Sequence, residues 1–187
     1  MKKVILFASG SGSNVENIIG YFKEKQQKIS FYVFTNNEKA FVLERARKLQ
    51  VPAVIFSREE MNEGKVGEKV KEINPDLIVL AGFLWKFPSA IIAEYPNKII
   101  NIHPALLPKY GGKGMYGKFV HEAVLLNKEK ETGITIHYVN EHYDDGAPLF
   151  QAKVALSNND TVEQIADKVH QLEFIHFPEI IEKLLKD

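Results

Sequence analysis

Short apolar runs alternate with amphipathic segments along the first two thirds of the chain. Residues 4–8 form an apolar run, and Val15, Ile18, Ile19 and Phe22 then recur at the spacing of one helical face. Such alternation is typical of a parallel sheet whose crossover helices cover both of its faces. The same criteria predict strands at 29–34, 53–56, 76–81 and 98–102, and helices at 38–49, 58–73 and 88–94.

The last third of the chain follows a different pattern. Residues 134–139 alternate as in a strand, and another strand is predicted at 149–155, which together indicate an antiparallel extension of the sheet. A helical stripe over 161–185 closes the chain, with an interruption expected at Pro178. We therefore predict one doubly wound α/β domain over 1–187, with a mostly parallel, Rossmann-type N-terminal half, antiparallel C-terminal strands and a final helix.

Composition excludes several classes of function. Lys and Arg number 24 and Asp and Glu also number 24, so no net field attracts nucleic acid or an anionic membrane, and neither partner is expected. The chain has no cysteine, which excludes disulfides, thiolate metal sites and a cysteine nucleophile. The apolar run at 4–8 is too short for a signal peptide or a membrane span, and a cytoplasmic location is expected.

The first candidate site is the loop that follows the first strand. Residues 9–14 read Ser-Gly-Ser-Gly-Ser-Asn and open the first helix, where small residues and free N–H groups suit a phosphate. A tight turn capped by Ser13 or Asn14 explains the same residues without a ligand. The second strand ends without the acidic residue that a dinucleotide ribose requires, and this disfavours NAD.

Two further loops carry polar groups suited to acyl transfer. Asn101 and His103 stand two apart at the end of a strand, so their side chains point the same way. An amide beside an imidazole can stabilise an oxyanion and move a proton. Residues 143–148, Tyr-Asp-Asp-Gly-Ala-Pro, could supply a carboxylate that orients His103, although an Asp-Gly turn needs no function.

Taken together and in this order, the three loops resemble the folate-dependent glycinamide ribonucleotide formyltransferase family. The phosphate loop corresponds to 10–14, the Asn-x-His-Pro element to 101–104, and a longer signature to 133–146, whose Asp-x-Gly falls on Asp144. The resemblance covers nearly the whole chain. It implies formyl transfer from 10-formyltetrahydrofolate to the amine of glycinamide ribonucleotide in purine synthesis, between small molecules only, in a monomer or homodimer and without a metal.

The resemblance also implies roles for individual residues. Asn101, His103 and Asp144 are implied to be catalytic, with Asp144 orienting His103 and raising its pKa by charge. Core packing is the alternative for two of the implied folate contacts, Leu84 and Phe87. The residues implied to bind the phosphate and ribose are Gly12, Ser13, Asn14 and Glu173, and those implied to bind folate are Arg58, Leu84, Trp85, Lys86, Phe87, Val139, Asn140 and Glu141.

Two departures from the family pattern are visible. Leu84-Trp85-Lys86 stands where better-known members carry Met-Arg-Ile, and the loop 111–121 is longer than the common form and lacks its histidine pair. Histidines other than His103 show no metal-ligand spacing, and those on the last helix, His170 and His176, are expected at the surface.

Three other functions remain open. Methionyl-tRNA formyltransferase shares the Asn-x-His-Pro and Asp-x-Gly elements but is expected to need a further C-terminal domain and a basic surface. Formyltetrahydrofolate hydrolase shares the same residues but carries an additional N-terminal regulatory domain. A non-catalytic nucleotide-binding module on the same fold is the third possibility, because fold does not imply function. The complete set of Asn101, His103 and Asp144 favours catalysis.

Overall fold

The structure, a computed structural model, describes residues 1–186, and Asp187, the last residue of the expected domain, lies outside the described residues. Strands and helices alternate along most of these residues. In chain order they are β1 (Lys2–Phe7), α1 (Ser13–Glu24), β2 (Ile29–Thr35), α2 (Val42–Leu49), β3 (Ala53–Ile55), α3 (Arg58–Asn62), α4 (Lys65–Ile73), β4 (Leu77–Leu80), α5 (Ser89–Glu94), β5 (Ile99–His103), α6 (Lys118–Leu126), β6 (Glu131–Tyr138), β7 (Pro148–Ala155) and α7 (Val162–Lys186).

All the strands belong to one sheet, in the order β3-β2-β1-β4-β5-β6-β7. The pairs from β3 to β5 are parallel, whereas β5 with β6 and β6 with β7 are antiparallel. This arrangement confirms the predicted fold class. The strand order reverses direction between β1 and β4, and in sheets of this kind ligands bind beyond the carboxyl ends of the strands at that point.

The central strands β1, β4 and β5 are buried on both faces of the sheet, which explains their continuous apolar sequences. On β1, Val4 and Leu6 pack against one helical layer, while Ile5 and Phe7 pack against the other.

Among residues 1–186, no helix is both long and apolar enough to cross a membrane.

The final helix is continuous, so the interruption predicted at Pro178 is wrong. Proline has no N–H, which leaves the carbonyl of Phe174, one turn earlier, without its usual helical donor. Asn17 Nδ2 of α1 donates to that carbonyl at 2.9 Å. The neighbouring helix thus satisfies the group that proline exposes, and α7 extends through the proline.

Two other predicted helices differ from the structure, and one helix of the structure has no prediction. The helix predicted at 58–73 is divided at Gly64, whose backbone is left-handed with φ of 83°. The helix predicted from residue 38 begins at Val42. The sequence pattern does not predict helix α6, because its first residues directly follow a glycine-rich loop and fall within the loop expected at 111–121.

A buried glycine sets the close approach of β6 to β7. A Cβ at Gly133 would overlap the carbonyl oxygen of Ala152 and press on Leu106. We expect Gly133→Ala to lower the free energy of unfolding by about 1–3 kcal/mol, the usual range for overpacking. Urea unfolding measures the change. Gly20→Ala in α1, where a Cβ meets no atom within 4 Å, should instead stabilise by about 0.5–1 kcal/mol; equal stability of the two variants would contradict this account.

Candidate active site

A cavity of about 700 Å³ opens at the carboxyl ends of β1, β4 and β5, where the strand order reverses. Its walls come from segments that are distant in the chain, including the loop after β1, the segment after β4 and the glycine-rich loop before α6. Helix α7 contributes His170 and Glu173. The position agrees with the rule for doubly wound sheets.

The loop after β1 forms one end of this cavity. Gly12 has a left-handed backbone with φ of 72°, and a Cβ there would overlap Val42, so glycine is required for the loop to lie against α2. The cap suggested for Ser13 or Asn14 is not formed, because the N-cap is Gly12 and no side chain within 1–186 caps α1. The N–H groups of the first turn are therefore available to an anion.

Asn14 joins this loop to the final helix. Its Nδ2 donates to Glu173 Oε2 at 2.8 Å, although 159 residues separate the two in the chain. Glu173 is buried, and burial raises the pKa of its carboxyl, while the hydrogen bond from Asn14 acts in the opposite direction. Asn14 Oδ1 is buried without a hydrogen-bond partner among the described residues.

The pairing of β5 with β6 assembles the centre of the cavity. Asn101 lies opposite His137, and His103 lies opposite Thr135. His137 Nδ1 donates to the carbonyl of Tyr138 at 2.8 Å, so its Nε2 is free to accept from Asn101 Nδ2 at 3.2 Å. His137, which the spacing of the sequence did not single out, therefore orients the Asn101 amide.

Asp144 faces both histidines. Its Oδ2 lies 3.5 Å from His103 Nδ1, and its Oδ1 lies 3.7 Å from His137 Nε2. The backbone N–H of Gly112 donates to Oδ2 at 2.9 Å. Asp145 points elsewhere, because its Oδ2 accepts from Asn140 Nδ2 at 3.4 Å. The structure thus places Asp144 beside His103 and, through His137, close to Asn101.

Thr135 fixes the loop that follows His103. Its hydroxyl donates to the carbonyl of Ala105 at 2.7 Å and accepts from the N–H of Leu107 at 3.0 Å. Gln151 Nε2 on β7 donates to the same oxygen at 2.9 Å. The loop after β5 is therefore bound to both antiparallel strands.

Burial outweighs charge at His103. Desolvation lowers the pKa of His103 below its ordinary value, while the charge of Asp144 and the carbonyl of Tyr110 act to raise it. The effect of Asp144 has the expected direction, but the net shift is opposite to the one expected. Burial alone would raise the pKa of Asp144, yet His137, His103 and the amide of Gly112 together lower it, so Asp144 is ionised at neutral pH.

The other end of the cavity is lined by residues that the resemblance implied for folate. Leu84 is 49% exposed there, whereas Phe87 is 5% exposed and packs edge-on against Phe7, so Phe87 also belongs to the core. Arg58 does not line the cavity; its guanidinium lies 4.0 Å from the centre of the Trp85 ring, which does. The remaining implied residues on this wall are Lys86, Val139, Asn140 and Glu141.

Sequence reasoning missed two buried histidines. His137 and His121 are 2% and 3% exposed, and both line the cavity. The strand alternation that includes Thr135 contained a signal for His137, because residues two apart on a strand share a face. His121 offered no comparable signal, since its helix was not predicted. Within 1–186, no cluster of three or more His, Cys, Asp or Glu is arranged to hold a metal ion.

A family model described as formyl transferase matches residues 2–181. The chain belongs to the formyl transferase family. It is 36% identical over 187 residues to the chloroplastic phosphoribosylglycinamide formyltransferase of Arabidopsis thaliana, covering 96% of this chain and 64% of that protein. With the Bacillus subtilis phosphoribosylglycinamide formyltransferase, identity is 34% over 191 residues, covering 99% of this chain and 95% of the relative.

The fold comparison agrees with this family assignment. The structure of phosphoribosylglycinamide formyltransferase from Anaplasma phagocytophilum matches with a TM-score of 0.90 at 30% identity, covering 100% of this chain and 87% of that one. The chain spans less than two thirds of its plant relatives, 64% of the Arabidopsis protein and 62% of the one from Vigna unguiculata. The family that the motifs resembled is thereby confirmed.

The buried histidines of this formyl transferase predict acid sensitivity. Burial lowers the pKa of His121 from 6.5 to about 4 and also lowers that of His103. As the pH falls, these histidines therefore take up protons at a higher pH in the unfolded chain than in the folded one. The free energy of unfolding should then fall as pH drops from about 6.5 towards 4. Asp144, whose pKa is lowered, contributes stability above about pH 4 that is lost only at lower pH.

Urea unfolding at several pH values between about 7 and 4 measures this dependence. We expect His121→Asn, which cannot take up the proton, to show a shallower loss of stability than the parent protein. The exposed His142, replaced by Asn, is the control and should leave the dependence unchanged. A His121→Asn variant with the full parental dependence would contradict the assignment.

Proposed function

We propose that this protein transfers the formyl group of 10-formyltetrahydrofolate to the amine of glycinamide ribonucleotide, giving the N-formyl product and tetrahydrofolate in de novo purine synthesis. The observation that carries the proposal is the approach of Asn101, His103 and Asp144 on one wall of the cavity. Membership of the formyl transferase family supports it, as do the names of the relatives. The proposal includes a single domain over 1–187, a cytoplasmic location, small-molecule partners only, and no metal.

The two ends of the cavity suit the two substrates. We assign the phosphate to the free N–H groups of Gly12, Ser13 and Asn14, because an uncapped helix N-terminus favours an anion. We assign the ribose to Glu173, which Asn14 joins to the same end of the cavity. We assign folate to the end that Leu84 and the residues near it line. The amine and the formyl carbon then meet at the end of β5.

The reaction requires stabilisation of one developing negative charge. Attack of the amine forms a C–N bond and a tetrahedral carbon, whose oxygen becomes an oxyanion before the bond to the folate nitrogen breaks. The proton lost by the amine is finally taken by that nitrogen. The second N–H of Asn101 and the imidazole of His103 are the donors that this oxyanion needs.

The present hydrogen bonds suggest how His103 donates. Its Nε2 lies 2.7 Å from the carbonyl of Tyr110, an acceptor only, so this nitrogen carries a hydrogen even in the neutral ring. We propose that the oxyanion replaces the Tyr110 carbonyl as the acceptor. Asp144, on the other side of the ring, stabilises the imidazolium that forms if His103 takes up a proton during the reaction.

The decisive assay combines the pure protein with 10-formyltetrahydrofolate and glycinamide ribonucleotide and follows tetrahydrofolate and the N-formyl product. Formation of both supports the proposal. Release of formate without the amine substrate would identify a hydrolase instead, and binding of ligands without turnover would identify a non-catalytic module.

Adjacent aspartates allow a matched test of the catalytic assignment. Asp144→Asn keeps the shape but removes the charge beside His103, and we expect kcat to fall by about 10²–10⁴-fold. Asp145→Asn changes an exposed turn and should leave kcat within a few fold. Both are measured at saturating substrates, with folding checked by thermal melts. Loss of activity in Asp145→Asn alone would show that the catalytic carboxylate is Asp145 and not Asp144.

Asn14 and Asn17 allow a similar comparison at the phosphate end. Each donates from α1 to α7, but only Asn14 lines the cavity. We expect Asn14→Ala to raise KM for glycinamide ribonucleotide and to spare KM for formyl-folate. Asn17→Ala should lower the melting temperature, because it removes a bond to the Phe174 carbonyl, and leave both KM values unchanged. Equal effects of the two variants on KM would count against a phosphate contact.

A further inference from the structure

His121 is a buried histidine of the cavity wall that has no part in the catalytic interactions described above. It stands on the first turns of α6, is 3% exposed and lines the cavity. Its Nδ1 is buried and has no hydrogen-bond partner among the described residues. A buried polar atom without a partner destabilises a protein, and an apolar side chain would fit this position at lower cost.

A second unpartnered atom lies in the same cavity. Asn14 Oδ1 is also buried, and no group within the described part of the chain donates a hydrogen bond to it. Asn14 contacts Glu173 on α7, and α6, which carries His121, packs on the same helix. Two buried unpartnered polar atoms on residues that line one cavity indicate a polar ligand that supplies their missing hydrogen bonds.

His121 lines the cavity that connects two parts of the site. His170 on α7 and His103 on β5 line the same cavity as His121. His170 lies one helical turn before Glu173, at the end assigned to the ribose and phosphate, whereas His103 lies at the reaction centre. A substrate that spans these two ends occupies the cavity that His121 lines.

The charge state of His121 selects the kind of group that it binds. Burial lowers the pKa of the ring to about 4, so it is neutral at pH 7 and cannot serve as a counter-ion for phosphate. A neutral imidazole has one N–H donor and one acceptor nitrogen. It suits uncharged polar groups such as hydroxyls and amides.

We propose that His121 is a specificity-determining contact for the amine substrate and hydrogen-bonds the uncharged segment between its phosphate and its amine, which comprises the ribose hydroxyls and the glycinamide amide. This inference rests on the proposed function and extends it to a residue outside the catalytic set. Formyl-folate, bound at the Leu84 end, does not depend on His121.

Two substitutions of similar size separate binding from packing. Asn can place a polar atom near the position of Nδ1, whereas Leu of similar shape cannot. We expect His121→Leu to raise KM and Kd for glycinamide ribonucleotide roughly tenfold, the loss of about one hydrogen bond. His121→Asn should restore most of the affinity. KM for formyl-folate should stay unchanged in both variants.

Stability gives an independent readout. Because Leu removes an unpartnered polar atom from the interior, His121→Leu should melt at the same temperature as the parent or higher while it binds the amine substrate more weakly. A purely structural role predicts no change in KM at unchanged stability. The control is His176→Leu on α7, outside the cavity walls, which should alter neither KM nor Kd.

A measurement on the parent protein keeps the test valid if His121→Leu does not fold. In protein labelled with ¹⁵N-histidine, the ring nitrogens of His121, assigned by comparison with His121→Asn, should shift on addition of glycinamide ribonucleotide and not of formyl-folate. Unshifted nitrogens on saturation with the amine substrate, or an unchanged Kd in a folded His121→Leu, would overturn the proposal. Absence of transfer by the parent protein in the assay described above would instead refute the proposed function itself.

Discussion

The antiparallel pairing of β5 with β6 is the contact on which the site depends. It sets Asn101 opposite His137 and His103 opposite Thr135, in one register. A shift of that register by one residue would turn these side chains to the opposite face of the sheet. Every later step, from the orientation of the Asn101 amide to the approach of Asp144, requires this alignment, and the close packing of β6 against β7 at Gly133 supports it.

The three buried histidines of the cavity differ in the groups that surround their imidazole rings. His103 lies beside the Asp144 carboxylate, His137 donates to a carbonyl through Nδ1, and His121 has no partner for its Nδ1. Desolvation acts against protonation at His103 and His121, and only His103 has a nearby carboxylate that opposes it. The chemistry available to each ring therefore follows from its neighbours and not from its residue type.

Helix α7 contributes to the site although it is far from α1 in the chain. Hydrogen bonds from Asn14 and Asn17 of α1 hold α7 at Glu173 and at the Phe174 carbonyl, which Pro178 leaves without a helical donor. The bond from Asn14 positions the carboxyl assigned to the ribose, whereas the neighbouring bond from Asn17 compensates for the proline. Stability and substrate recognition share this interface, which is why matched substitutions at Asn14 and Asn17 can separate them.

The sequence by itself determined most of the order of strands and helices, but neither α6 nor the division of the helix at 58–73, because apolar spacing indicates which face of a regular element is buried. It also predicted where the cavity opens, since loops at the carboxyl ends of parallel strands meet at one edge of the sheet. Only the tertiary structure decided that α7 passes through Pro178, because the compensating donor, Asn17, lies 157 residues away from Phe174 in the chain. For the same reason it alone revealed His121 in the cavity and the net lowering of the His103 pKa: burial depends on contacts between distant segments, which the local pattern of residues does not contain.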